Sequence, residues 1–374
     1  MKRMKKVLII GGCGFVGSHT ADALLQAGHR VTVYDNLSKQ VHPTGFPSYL
    51  SRDVEFVKGD VRDLGSLSKV VAGEDVIYHL AAAVGVGQSM YEISNYCSCN
   101  IQGTANLLQA ILDTRSRPEK LVVASSMSIY GEGRYSCTEC GDVAPLPRTI
   151  EQLKRKQWEL NCPNCNNVVE PVATSEEKPL QCTSVYALSK KAQEEMTLLF
   201  GQTYDIPTVA LRYFNIYGPR QALSNPYTGV AAIFASRLLN GNAPVVFEDG
   251  RQMRDFVNIR DIVQANLLAL SSSGGDGMAL NVGSGKPVTI SEVAGEIAQM
   301  LGAPMRATLP GVYRAGDIRH CFADISKTRQ HLGFSPRVGF REGVSELVDW
   351  LESQQANDRT EEAMLQLTAR GLVA

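Results

Sequence analysis

Residues 7–17 read Val7-Leu8-Ile9-Ile10-Gly11-Gly12-Cys13-Gly14-Phe15-Val16-Gly17. The apolar run Val7–Ile10, ending in glycine, is the pattern of a parallel strand buried on both faces. A helical pattern then runs from Ser18 to Gln26 and stops at Gly28. A second strand pattern, Arg30 to Tyr34, ends at Asp35. Strand, glycine turn, helix, strand and acid in this order form the context a dinucleotide-binding turn needs. Glycines let the backbone approach a pyrophosphate, and the helix N-terminus supplies N–H groups and a positive dipole end. Asp35 would accept hydrogen bonds from the adenosine ribose and repel a 2′-phosphate, which favours NAD over NADP.

More strand–helix units follow. Strand patterns at Asp53–Val57, Asp75–His79 and Lys120–Ser125 lead to Gly59-Asp60-Val61, Leu80-Ala81-Ala82 and Ser125-Ser126. Alternating strands and helices predict an α/β fold, a Rossmann-type doubly wound parallel sheet with its site at the strand C-termini. After Pro219 the pattern is less regular, with helices expected at 229–240, 291–301 and about 341–353, and a short strand at 245–247. The expected organisation is a dinucleotide domain of 1–134 and 172–215, an insert of 135–171, a smaller, mainly substrate-binding portion of 216–354, and a polar tail of 355–374.

The insert carries Cys137 and Cys140, then 21 residues, then Cys162 and Cys165. Two Cys-x-x-Cys pairs can complete a tetrahedral zinc site resembling a zinc ribbon, closed and structural because no water position remains. A module with so little core needs such a staple. Iron in the same cage, disulfides, or loop cysteines without metal are the alternatives. The chain has nine cysteines, yet it reads as a large α/β protein without a signal peptide, which predicts a reducing cytoplasm. A net charge of −1 gives no electrostatic case for nucleic acid or a membrane surface, and no run approaches the ~18 apolar residues of a membrane span. Because the insert interrupts the stretch joining Ser126 to Tyr186, it is expected to flank the site as a lid or dimer contact.

Ser184-Val185-Tyr186-Ala187-Leu188-Ser189-Lys190 opens a helix, with Thr183 or Ser184 as N-cap. Tyr186 and Lys190, four apart, share one face, so an ammonium there would lower the tyrosine pKa. Tyr186 could then take a proton from a sugar hydroxyl, while Ser126 hydrogen-bonds the same oxygen.

With Asn100-x-x-Gly103-Thr104-x-Asn106, Ser125-Ser126-x-x-x-Tyr130-Gly131, Tyr186-x-x-x-Lys190, Arg212-Tyr213-Phe214-Asn215-x-Tyr217-Gly218-Pro219, Arg254-Asp255-Phe256-Val257 and Arg314-x-Gly316-Asp317, the chain resembles extended short-chain dehydrogenases/reductases of the nucleotide-sugar epimerase/dehydratase family. The resemblance implies that Ser126, Tyr186 and Lys190 are catalytic. It implies NAD contacts from Gly11, Gly14, Phe15, Val16 and Gly17, from Asp35, Asn36, Asp60 and Val61, and from Leu80, Ala81, Ala82 and Asn100. Tyr186, Lys190, Tyr213 and Ile216 complete that set, and Ser126, Ser128, Asn215, Arg254 and Arg314 would bind the nucleotide-diphosphate sugar. The family's 4,6-dehydratases carry Asp and Glu after the triad Ser/Thr, where this chain has Met127 and Ser128, neither a carboxylate. An alcohol-to-acid dehydrogenase would want a nucleophilic cysteine, and Cys13 in the glycine turn is badly placed.

What remains is 4-epimerisation through a transient 4-keto sugar with tightly bound NAD. The cysteine insert associates the chain with a subgroup resembling dTDP-L-rhamnose 4-epimerases, which make dTDP-6-deoxy-L-talose. UDP-hexose or UDP-hexuronate 4-epimerases, an NAD(P)-dependent 4-keto-sugar reductase, and an inactive nucleotide-binding regulator are the rival expectations. The resemblance also implies a homodimer through the helix at 104–114 and the one carrying Tyr186.

Overall fold

The structure is a computed structural model and describes residues 3–223, 225–304, 308, 311–314, 316–351, 354 and 358–373. Strand β1 (Lys6–Ile10) shows why its sequence is apolar after Lys6. Val7 and Ile9 enter one hydrophobic cluster, while Leu8 and Ile10 enter another on the opposite face of the sheet. Further strands are β2 (Arg30–Asp35), β3 (Glu55–Lys58), β4 (Val76–His79), β5 (Lys120–Ser126), β6 (Arg134–Cys137), β7 (Gly141–Val143), β8 (Glu170–Val172), β9 (Thr208–Tyr213), β10 (Asn215–Tyr217), β11 (Met253–Asn258), β12 (Met278–Val282), β13 (Pro287–Thr289) and β14 (His320–Cys321). The main sheet runs β3-β2-β1-β4-β5-β9-β12, and every pairing in it is parallel. This is the expected doubly wound α/β sheet. The chain works outward from β1 in one direction and from β4 in the other, so a crevice opens at the C-terminal ends of these two strands.

A second sheet joins β10, β11, β13 and β14. It shares a hydrophobic cluster with the helices Val230–Leu239, Ile290–Met300 and Phe340–Leu351. Strands β7-β6-β8 form a separate antiparallel sheet with its own small cluster of Tyr135, Cys137, Val143, Leu160, Cys162 and Val169.

Several local expectations shift. The first helix is Phe15–Gln26, beginning three residues before Ser18 because Gly14 already serves as its N-cap. Residues 245–247 form no strand; Val245 makes only an isolated bridge to Thr308. The tail holds a helix, Thr360–Thr368, that buries Ala363 and Leu367 at i and i+4, while the tail residues 355–357 and 374 lie outside the described ones. No described helix is long and apolar enough to cross a membrane.

Candidate functional site

A cleft of about 720 Å³ runs from the ends of β1, β2 and β4 past Ser126 to the second sheet. At its first end Gly11 has φ +82°, and a side chain there would fall 2.7 Å from the Ala81 nitrogen. A side chain at Gly17 would fall 2.4 Å from the Gly11 carbonyl oxygen, so this glycine lets helix and turn touch. The Phe15–Gln26 helix has no side-chain cap and no acidic residue in its first turn, leaving its N-terminal N–H groups and dipole for an anion. Asp35 accepts from the Cys13 and Leu37 backbone at 3.0 and 2.9 Å, which fixes its carboxylate beside the turn. These features fit a dinucleotide: an uncapped helix end for its pyrophosphate and a carboxylate for its ribose.

Of the twenty-two residues expected to bind cofactor or substrate or to act in catalysis, two do not line the cleft. Asp60 turns to Asn36 and Arg62, and hydrogen bonds from Arg62 hold its carboxyl well below the usual carboxylate range. Asn100 is fully buried and grips Ala83 through both backbone groups, at 2.7 and 3.0 Å, and Ser189 at 2.9 Å. It therefore ties the Leu80–Ala83 segment to the Tyr186 helix from behind.

In the middle of the cleft lie Ser126, at the end of β5, and the helix Val185–Tyr204, capped by Ser184 through Ala187 N at 3.1 Å. Glu194 on that helix receives Arg212 from β9 at 2.6–3.2 Å, and Ser125 of β5 at 2.5 Å. Losing either member of the buried Glu194–Arg212 pair would cost about 3–5 kcal/mol. Tyr186 and Lys190 are both buried. Burial raises the tyrosine pKa, and the hydrogen bond with Ser126 offsets part of the rise. The expected lowering by Lys190 is not seen, because the Lys190 ammonium donates to Gln193 and burial brings its own pKa down to about 7. Gln193 continues to His79 at 2.7 Å, which in turn meets Thr104 at 2.9 Å.

Carboxylates among the described lining residues are Asp35 and Asp317, at opposite ends, and none stands beside Tyr186. The only described cysteine lining the cleft is Cys99, whose thiol pKa burial raises. Cys13 is fully buried and its thiol is pushed up to about 12 by burial and then Asp35.

At the far end Arg314 binds Asp317 at 3.0 and 3.2 Å and lies over the Phe247 ring. Arg254 reaches the same carboxylate at 3.5 Å and the carbonyls of Met253, Ile318 and Arg319 at 2.6–2.9 Å. Two guanidiniums sharing one carboxylate leave a net positive charge facing the cleft. Burial would raise the Asp317 pKa, but Arg314, Arg254 and Arg148 hold it below its ordinary value. Nearby, Asn215 Oδ1, Gln221 Oε1 and Gln252 Oε1 are buried acceptors without a described partner, which suits a ligand carrying hydroxyl or N–H donors. Gln221 and Gln252 carry no sequence signal that marks them. Arg319 is fully buried among Glu159, Glu248 and Asp249, and does not line the cleft.

The tail helix closes the mouth. Thr360, Ala363, Met364 and Leu367, with Leu372 beyond them, line the cleft, and Arg370 lies over Tyr91. The Ala363–Leu367 spacing was the available signal, but the polar composition around it masks it. The insert does not line the cleft at any described residue from 135 to 171, so it forms no part of the cleft wall. Its four thiol sulfurs lie within 4.8 Å of one another, close enough for one metal ion to take all of them. Backbone N–H groups of Cys165 and Asn164 point at the Cys162 sulfur and bring its pKa to about 7, whereas Cys140 and Cys165, crowded by the other thiols, are raised.

The profile of the NAD dependent epimerase/dehydratase family matches residues 7–150 and 164–283. The break, residues 151–163, falls inside the cysteine insert. A dTDP-L-rhamnose 4-epimerase of Burkholderia thailandensis is 33% identical over 94% of this chain and 96% of its own. A UDP-N-acetyl-alpha-D-glucosaminuronate decarboxylase of Bacillus cytotoxicus is 30% identical over 92% of this chain and 97% of its own. Among solved structures, the Thermus thermophilus UDP-glucose 4-epimerase complex with NAD aligns with a TM-score of 0.75 and 30% identity, covering 94% of this chain and 100% of that one.

Proposed function

The chain belongs to the NAD dependent epimerase/dehydratase family, and within it we propose that the protein is a nucleotide-sugar 4-epimerase acting on dTDP-L-rhamnose. The observation that carries the reaction type is the cleft's centre: Tyr186, Ser126 and Lys190 together, with no carboxylate beside them among the described lining residues to remove water. The dTDP-L-rhamnose 4-epimerase relative supports the substrate.

The Gly11–Gly17 turn and the N-terminus of its helix would hold the pyrophosphate of NAD, and Asp35 the adenosine ribose. NAD, when bound, accepts a hydride from the sugar carbon and returns it. Arg254 and Arg314 would bind the substrate diphosphate, and Asn215 its neighbouring oxygens. Ser126 Oγ orients the C4 oxygen, and Tyr186 Oη takes its proton and later gives it back. Four thiolates from Cys137, Cys140, Cys162 and Cys165 would hold one structural zinc ion, with no open position for chemistry.

A homodimer is proposed through the Tyr186 helix, whose Leu188 and Leu199 are 55% and 64% exposed; light scattering at the mass of one chain would remove it. The reaction is tested by following C4 inversion by NMR with dTDP-L-rhamnose, UDP-glucose and UDP-glucuronate. Wild-type protein should invert the first without added cofactor, and Tyr186→Phe should be at least about 10³-fold slower. Consumption of added NAD(P)H with a single reduced product would instead identify a reductase.

A further inference from the structure

The cysteine module contributes no described residue to the cleft lining, yet one of its ionic side chains reaches a lining residue and another reaches the segment that holds one. Arg148, its side chain 2% exposed, spans two partners from the module. Its Nη1 meets Glu248 at 2.8 Å, and its Nη2 donates to the backbone carbonyl of Asp317 at 3.0 Å. Glu159 takes Arg319 at 2.5 and 3.1 Å and His320 Nε2 at 3.1 Å. Because His320 Nδ1 accepts from Met253 N at 3.1 Å, its Nε2 carries the proton and donates to Glu159. Arg319 in turn offers its carbonyl to Arg254 Nη1 at 2.9 Å. The module thus grips the backbone of Asp317, whose carboxylate holds Arg314, and the Arg319–His320 segment, which holds Arg254.

The charges have the same logic. At the cleft, Arg254 and Arg314 against Asp317 leave one net positive charge (2 − 1). Behind them, Arg148 and Arg319 face Glu132, Glu159, Glu248 and Asp249, two net negative charges (2 − 4). Without the Arg148 charge the rear cluster would be more negative. Its carboxylates would then draw the cleft guanidiniums inward and repel an incoming anion. Removing the Glu159 charge instead makes the cluster less negative, so a loss of affinity there reads the lost grip on Arg319 and His320 and not the field.

We propose that Arg148 and Glu159 are positioning residues for the diphosphate subsite, by which the cysteine module sets the affinity for the nucleotide-sugar without touching it. The proposal rests on reading Arg254 and Arg314 as diphosphate ligands.

The test uses the full-length protein as purified, with Arg148→Lys and Glu159→Gln. Lysine keeps a charge near Glu248 but cannot also reach the Asp317 carbonyl in the guanidinium's fork geometry. Glutamine keeps an acceptor for His320 and loses the charge facing Arg319. Calorimetry with dTDP and with UDP, KM and kcat, bound-NAD absorbance and melting temperature are measured together. The nucleoside-diphosphate Kd and KM should rise about tenfold in Arg148→Lys and severalfold in Glu159→Gln, with kcat and NAD content unchanged. Variants that bind as wild type does, or that lose NAD and nucleoside diphosphate in parallel with a falling melting temperature, would overturn it. If Arg148→Lys does not fold, Glu159→Gln decides, since that carboxylate is 42% exposed. A wild-type protein that binds neither dTDP nor UDP removes the diphosphate subsite itself, and this proposal with it.

Discussion

Tyr186 and Lys190 were legible from their spacing of four on a helix, but their proton affinities were not. The spacing says the two share a face; it says nothing of how much water each keeps. In the folded chain burial dominates both, raising the tyrosine and bringing the lysine to about 7. Asn100 and Asp60 teach the same lesson at shorter range. Their motifs brought them close to the cleft, Asp60 after a strand and Asn100 within a helical turn, while their side chains turned to protein partners. The lysine shift has a thermodynamic consequence. Between about pH 7 and the ordinary lysine value of about 10.4, the unfolded chain holds a proton that the native chain has released. Where the unfolded state binds more protons, stability rises with pH. NAD-free wild-type protein should therefore gain stability relative to Lys190→Met on going from pH 7 to pH 9.5, with the cost of burying a charged lysine felt below pH 7. Urea unfolding of both proteins at the two pH values reads the difference; a difference that stays flat, or shrinks, refutes the shift.

At the scale of elements, the first half of the fold was written in short, regular signals. The apolar run of β1, the glycines after it and the acid ending β2 each encode backbone geometry locally, so the turn and the helix after it could be anticipated, if not the helix's start at Phe15. The insert was legible as a cysteine pattern but not as a position. Its place outside the cleft wall was not readable because what anchors it is a set of buried charges from Glu132 to Arg319, distant in sequence and without a spacing rule. Its small cluster includes two of the cysteines themselves, so little apolar burial is left to hold it closed without metal. Cys162→Ser combined with Cys165→Ser should lower zinc, by mass spectrometry of the purified protein, from one per chain to none. It should also expose the β6–β8 sheet to rapid amide exchange, while the β1–β5 strands stay protected. Unchanged protection in β6–β8 without zinc would show that the module needs no staple.

Across the whole molecule, the cleft is walled by the parallel sheet on one side and the second sheet on the other, and the last helix lies across its mouth. That final closure was the least legible feature, because it depends on contacts far apart along the chain. Asp358 pairs with Arg237 at 3.2 Å, Leu367 packs beside Gly87, and Val373 bridges Arg314, itself a cleft residue. The central dinucleotide end owes nothing to these contacts, since Gly11, Asp35 and the first helix belong to the main sheet. The two ends should therefore separate experimentally. A chain ended after Leu351 should keep its bound NAD and most of its helical content. It should bind dTDP-L-rhamnose about tenfold or more weakly, since the buried Ala363 and Leu367 contacts and the bridge to Arg314 go together. Leu367→Arg, which keeps the backbone and removes only the apolar seal, should show a smaller loss in the same direction. Affinity untouched by both changes would mean that the tail merely rests on the surface; loss of NAD along with substrate would mean that it supports the fold and not the mouth of the cleft.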